Sequence, residues 1–190
     1  MNEATLIILV HQALFQGCFL LKNFTLSRKL GAPVRGSNPE ARRAILFFTA
    51  FILVSLLLAA GNAQFARLHL LSEATAVALC LLLLVLNLAF GLASLRNLGE
   101  SWRVGVLEDQ ATDLVQDGIY RISRNPYFVA YLLMFAAYTV LLQNLVLLAL
   151  SGVGLAFIHA MILKEEKHLQ NLHGQAYRDY QRRVARYLLV

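Results

Sequence analysis

The chain has 190 residues, the usual length of one domain, but 58% of them are hydrophobic and the mean hydropathy is +0.60, more apolar than an ordinary soluble core. Seventeen Lys and Arg against eleven Asp and Glu leave a net charge of +6. With no soluble basic domain carrying interleaved aromatics, that balance excludes a nucleic-acid-binding module and fits a protein set among anionic lipids.

Five stretches contain no Asp, Glu, Lys or Arg and approach the length needed to cross a hydrocarbon layer of about 30 Å. They cover residues 5–21, 44–60, 74–95, 127–142 and 145–163. The first is preceded by Met1, Asn2 and Glu3, with no basic side chain, and followed by Lys22, so it reads as an uncleaved anchor and not a signal peptide. Cys18 and Cys80 fall inside spans and are expected to pack, not to form a disulfide. Asn38, Pro39 and Glu40 give a cap, a first-turn proline and an acid for the second helix; Gly61 and Asn62 stop it, and Ser72 with Glu73 starts the third. His11, Gln12, Gln16 and Asn87 are the polar marks in the first three spans, expected as interhelical hydrogen bonds. The fourth span is the shortest, with four crossings as the fallback count. Gln143 and Asn144 alone separate it from the fifth, which makes the two an antiparallel hairpin, with Gly152 and Gly154 allowing close approach of a backbone.

Sixteen of the seventeen basic residues lie between spans 1 and 2, between spans 3 and 4, or after span 5; Arg67 is the exception. Positive loops are retained in the cytoplasm. The expected fold is therefore an all-α, polytopic membrane bundle of about five transmembrane helices, N-terminus outside and C-terminus inside. Its tail carries Leu169, Leu172, Ala176, Tyr180, Val184 and Tyr187 at spacings of three or four. This predicts an amphipathic helix on the cytoplasmic membrane surface, broken at Gly174. The chain divides into residues 1–95, on the acceptor side, and 96–190, which hold the polar groups.

Two polar clusters could carry chemistry. Glu165 and Glu166 stand where the fifth helix leaves the bilayer, near its negative end, either as solvated charges or facing a cationic partner. Glu165 and His168 have the Glu-x-x-His spacing of helical metal sites, but a second such pair is missing from the sequence, so no metal is expected. His159, an imidazole within the fifth span, is a functional candidate whose commoner role is a hydrogen bond to a neighbour. The second cluster, residues 118–127, brings together Tyr120, Arg121, Arg124, Asn125, Pro126 and Tyr127. Arginine forks suit a carboxylate and tyrosine rings suit a base or a sulfonium, though the same residues also suit the headgroup layer. Composition alone does not choose.

The order of the motifs adds to this. Leu98-Gly99-x-x-Trp102, Leu114-Val115-x-x-Gly118-Ile119-Tyr120-Arg121-x-x-Arg124-Asn125-Pro126, an apolar hairpin, Glu165-Glu166-x-x-Leu169, Gly174-x-x-Tyr177-x-x-Tyr180 and Val184-x-Arg186 follow in sequence. This order resembles the isoprenylcysteine carboxyl methyltransferase and phospholipid methyltransferase superfamily over residues 96–187. The resemblance implies an integral-membrane methyltransferase that uses S-adenosylmethionine on a lipid-like or prenylated acceptor, including isoprenylcysteine carboxyl O-methylation. It also implies a cofactor pocket of Tyr120, Arg124, Asn125, Pro126, Tyr127, Glu165, Glu166, Tyr177 and Tyr180, and a catalytic set of Arg124, Glu165, Glu166 and Arg186. Family members often have His where Asn125 stands and an aromatic where His173 stands. The alternatives are an NADPH-dependent membrane reductase of sterol type, which shares a similar hairpin and tail, and a non-catalytic protein that kept the fold.

Overall fold

The structure, a computed structural model, describes residues 2–34, 39–61, 64–103 and 113–188. Six helices follow one another: α1 (Glu3–Leu30), α2 (Pro39–Ala60), α3 (Glu73–Leu98), α4 (Pro126–Leu142), α5 (Leu145–His173) and α6 (Gln175–Arg183), with 3₁₀ turns at Gly99–Ser101 and Gly118–Arg121. Four of them, α1, α2, α3 and α5, are long and apolar enough to cross a membrane.

Local chemistry sets the boundaries. The Asn2 carboxamide oxygen accepts from the Thr5 amide at 2.9 Å and the Ser72 hydroxyl from Thr75 at 3.2 Å, each satisfying a free amide of a first turn. The cap expected at Asn38 and the stop at Asn62 lie outside the described residues; α2 does begin at Pro39. Asn144 caps α5 by accepting from Val146 at 2.9 Å. Beyond Leu163 the same helix continues unbroken to His173, and Gly174, at φ +57°, ends it.

Successive helices run antiparallel between two ends. At one end the Asn2 side chain donates to Ala59 O at 2.5 Å, and the Gln143–Asn144 turn is stitched to the α2–α3 connection. There Leu68 N donates to Gln143 O at 2.6 Å, and the Gln143 carboxamide oxygen accepts from Leu70 and Leu71 at 2.9 and 2.7 Å. At the other end Leu26, Val34, Leu95 and Trp102 pack together, and Lys29 pairs with Glu100. Helix α4 joins these ends with 17 residues, about 25 Å at 1.5 Å per residue. It is short, as the sequence implies, and enclosed: more than half of it is buried, so neighbouring helices cover much of the surface that would otherwise have to match the lipid.

Small residues and buried polar groups fix how the helices mesh. A Cβ on Gly91 of α3 would stand 2.8 Å from the Phe15 ring of α1. On α5, Gly154 admits rings and not a backbone, since a Cβ there would meet Phe135 at 2.5 Å and Phe47 at 3.0 Å; Gly152 has open space before it, contrary to the expectation that it lies at a close contact. His11 lies between the Tyr138 hydroxyl and the Asn87 carboxamide oxygen, 2.7 Å from each. Asn87 donates to Ala130 O at 2.6 Å, and Gln12 donates to Tyr138 at 2.8 Å. Because the Asn87 oxygen only accepts, the imidazole proton belongs on Nε2 and Tyr138 donates to Nδ1. These are the expected interhelical bonds, joining α1, α3 and α4; Gln16 instead donates to Gln12 of its own helix at 3.3 Å.

The tail departs from expectation. Leu172 and Ala176 are exposed, while Tyr177 and Tyr180 are buried at 1% and 3%. Helix α6 stops at Arg183, and the chain then turns back along α5, where the Tyr187 hydroxyl meets His159 Nδ1 at 2.8 Å. His159 lies inside the apolar run of α5, so Tyr187 packs against the bundle, beyond the end of the tail helix.

Candidate functional site

The approach to α4 is built on a tight turn. Gly118 has φ +62°, and a Cβ there would come within 2.4 Å of the Asn97 side chain; glycine supplies both the left-handed backbone and the missing atom. Asn97 then accepts from the Ile119 amide at 3.0 Å, and the 3₁₀ turn buries Tyr120. Ser123, fully buried, accepts from the Asn125 amide at 3.1 Å and donates to Arg186 O at 3.3 Å. Pro126, with no amide hydrogen to satisfy, opens α4. These steps deliver Arg124 and Asn125 to the charged end of α5.

There the two glutamates separate. Glu166 is 4% exposed and is engaged from every side. Arg124 donates to its Oε1 through Nε at 3.1 Å and Nη2 at 2.9 Å. Arg186 reaches its Oε2 through Nη2 at 2.9 Å, and Asn125 Nδ2 approaches its Oε1 at 3.3 Å. Burial pushes this carboxyl up, but hydrogen bonds from Arg186 and Arg124 and their charges outweigh it, and the group stays ionised below its ordinary value. Arg124 spends its remaining donors on the end of α6, with Nη1 3.0 Å from Gln181 O and 2.6 Å from Val184 O. A cation placed on those carbonyls also complements the helix dipole.

Glu165 differs. It lies three residues beyond Ile162 and seven beyond Ile158, both fully buried, so it faces the bundle interior. It retains some exposed surface and makes no hydrogen bond or ion pair with a described residue. Burial first, and the charge of Glu166 second, push its carboxyl up to about 7. Around it stand phenols held neutral: burial raises Tyr177 and Tyr180, and the Tyr180 hydroxyl donates to Tyr120 O at 2.7 Å. Arg186 has a side chain 34% exposed, and its Nη1 makes no hydrogen bond among the described residues.

Of the residues singled out from sequence, the structure brings together Arg124, Asn125, Glu166 and Arg186, with Pro126 at the α4 start and Tyr177, Tyr180 and Tyr120 joining the tail to the preceding turn. Tyr127 is turned away from this cluster; its ring packs on Phe15, Phe19, Trp102 and Tyr131. Ser123 and Asn97 take part without having been expected to, and His159, a candidate from sequence, takes Tyr187 of the tail as its hydrogen-bond partner. Ser123 is one more polar residue in a polar loop, and the partners of Asn97 and Tyr187 lie 22 and 28 residues away, beyond any helical periodicity.

The donor set fits S-adenosylmethionine. Among the described residues the Glu165 carboxylate facing the interior has no partner, one edge of Arg186 is unengaged, and phenolic rings lie close by. A cavity of about 200 Å³ lined by Asn2, Arg67, Glu73 and Gln143 lies at the opposite end of α4 and shares no residue with this cluster.

The profile of the phospholipid methyltransferase family matches residues 75–176, just over half of the chain. No curated protein matches. The matched segment runs from the start of α3 through the hairpin to the first residues of α6 and takes in both glutamates and Arg124.

Proposed function

Because this chain belongs to the phospholipid methyltransferase family, within the integral-membrane methyltransferases, we propose that it transfers the methyl group of S-adenosylmethionine to a lipid-like acceptor at the basic end of the bundle, facing the cytoplasm. The observation that carries the reading is the division between the adjacent glutamates. Glu166 is consumed in holding Arg124 and Arg186, while Glu165 faces inward without a partner among the described residues.

S-adenosylmethionine, when bound, supplies an electrophilic methyl group on a sulfonium. In this reading Glu165 accepts hydrogen bonds from its amino group or ribose hydroxyls, and the open edge of Arg186 meets its carboxylate. Tyr120, Tyr177 and Tyr180 wall the adenosyl part, and Glu166 acts as a positioning residue that fixes Arg186 and the tail. An in-line displacement asks the protein mainly for alignment and exclusion of water. The strap of residues 184–187 provides the latter, held by Arg124 N to Ala185 O at 2.9 Å and by Asn125 Nδ2 to Arg186 O at 3.1 Å. A carboxylate acceptor needs no base; an amine acceptor loses a proton, and Glu165 is the free carboxylate in this cluster able to take it.

The test is transfer of labelled methyl groups from S-adenosylmethionine into lipid extracts by the protein in nanodiscs, followed by identification of the product. Label in a membrane amphiphile, lost with Glu165→Ala, is the expected result. Oxidation of NADPH with an isoprenoid acceptor and no methyl transfer would assign the protein to the reductases instead.

A further inference from the structure

Arg67 is the one basic residue that stands away from the others, and methyl transfer gives it no task. Only two more Asp, Glu, Lys or Arg fall at its end of the bundle, Glu3 and Glu73. All three line the cavity of about 200 Å³ between the starts of α1 and α3, the ends of α2 and α4, and the Gln143 turn. The carboxamides there are engaged and fix the walls. Asn2 donates to Ala59 O at 2.5 Å, Gln143 to Leu71 O at 3.0 Å and Asn144 to Phe65 O at 2.7 Å. The charged groups are left open. Arg67 gives Nη2 to Glu73 Oε1 at 3.0 Å, and its Nε and Nη1 make no hydrogen bond among the described residues. Exposed Glu3 makes no hydrogen bond or ion pair with a described residue.

Glu3 and Glu73 have an ordinary reason to be here, since acids in a first turn complement the helix dipole. Arg67 does not. It stands beside the starts of α1, α3 and α5, whose dipoles repel a cation, and on the face that basic residues avoid. Its pair with Glu73, whose side chain is 85% exposed, is of a kind that stabilises little. Yet the Arg67 side chain is only 21% exposed, sunk between the helix ends. An anion delivered to its open edge would answer both the guanidinium and the helix starts. Glu3 and the carbonyl ends of α2 and α4 call for the opposite charge. The rest of the lining is apolar, with Leu58 and Val77 half-buried and Leu141 buried. The volume equals that of about seven liquid waters at ~30 Å³ each, below the ~300–1,000 Å³ of sites for larger ligands.

We propose that this cavity binds a small water-soluble zwitterion, an α-amino acid with an apolar side chain. The ligand carboxylate takes the open edge of Arg67, its ammonium meets Glu3 and the carbonyl end of α4, and its side chain lies on Leu58, Val77 and Leu141. Glu73 holds the place of the carboxylate on Arg67 when the ligand is away. In the orientation proposed above, the site opens to the outside. It lies at the far end of α4 from Glu165 and shares no residue with the charged cluster there, so it stands whether or not the chain transfers methyl groups.

The test is calorimetric titration of leucine into the full chain in nanodiscs. Binding at one site per chain is expected, with glycine about tenfold weaker because it buries no side chain. Isocaproate, which lacks the ammonium, and leucinamide, which lacks the carboxylate, should each bind about ten- to a hundredfold more weakly than leucine. Arg67→Gln should weaken leucine and leave leucinamide unaffected, so that the two bind alike, a signature that a merely structural role for Arg67 would not produce. Val77→Phe keeps every charge and narrows the cavity, and it should weaken leucine more than glycine even where Arg67→Gln disturbs the fold. Because S-adenosylmethionine also has an amino-acid end, leucine is titrated into Glu165→Ala too, where undiminished binding is expected. Absence of leucine binding by folded wild-type protein overturns the proposal, as does leucine affinity that neither Arg67→Gln nor Val77→Phe lowers. Isocaproate bound as tightly as leucine overturns it in favour of an anion site, and leucine binding lost with Glu165→Ala returns the amino acid to the cofactor site.

Discussion

Replacing Glu166 with Gln removes one negative charge from a site where two guanidiniums converge. The Arg124 side chain is 8% exposed and the Arg186 side chain 34%, so the first partner is left desolvated and the second is partly rescued by water. Breaking a buried ion pair outright costs about 3–5 kcal/mol. Gln retains one oxygen acceptor and Arg124 keeps its two α6 carbonyls, which brings the expected loss to about 2 kcal/mol. For a chain of this size that corresponds to a melting temperature lower by about 4–8 °C. The loss should be local: hydrogen–deuterium exchange should rise over residues 123–125 and 180–187, whose mutual bonds Glu166 organises, and stay unchanged at the Gln143 turn. Acid should produce the same release in the wild type. A carboxyl held below its ordinary value stabilises fully above the usual carboxylate range and loses that contribution only as pH falls through its lowered folded value. Wild-type protection of the tail should therefore persist through the ordinary carboxylate range and be lost only on stronger acidification, and the Gln variant should lack that acid limb. A Gln variant with wild-type melting and wild-type exchange over the tail would refute the assignment of Glu166 as the anchor.

The neighbouring carboxyl is shifted the other way, so its charge is lost at a higher pH. Glu165 is raised to about 7, so its charged form appears as pH rises through that value, and S-adenosylmethionine affinity should climb between about pH 6 and 8. Calorimetry on Glu165→Gln should show weaker binding with that limb absent. Gly118→Ala places a side chain at φ +62° against Asn97 and displaces the acceptor of Ile119. A loss of about 1–2 kcal/mol, read by thermal melting, should accompany weaker cofactor binding, because this turn carries Tyr120 and leads to Arg124.

Much of the bundle was legible because each span is an uninterrupted apolar run and each cap is a local signal. Ser72, Pro39 and Gly174 act within one turn of their own position. The gathering of Arg124, Glu166 and Arg186 was legible only through the order of family motifs, since 42 and 20 residues separate the arginines from the carboxylate. The unequal fates of Glu165 and Glu166 were not legible at all. Adjacent positions on a helix point about 100° apart, and which of them meets a guanidinium depends on where the α4 start and the tail are placed. The return of Tyr187 to His159 was hidden for a related reason. Its spacing within the tail suits an amphipathic surface helix, but α6 ends at Arg183 and the helical register no longer applies beyond it. Gly152 and Gly154 show the same limit, as sequence offers two small residues and packing uses one.

The most direct test is calorimetric titration of S-adenosylmethionine into the wild-type protein in nanodiscs. One binding site per chain, weakened by Glu165→Ala and by Arg186→Ala, is the predicted result. No heat of binding to wild-type protein that is folded and lipid-embedded would contradict the central claim.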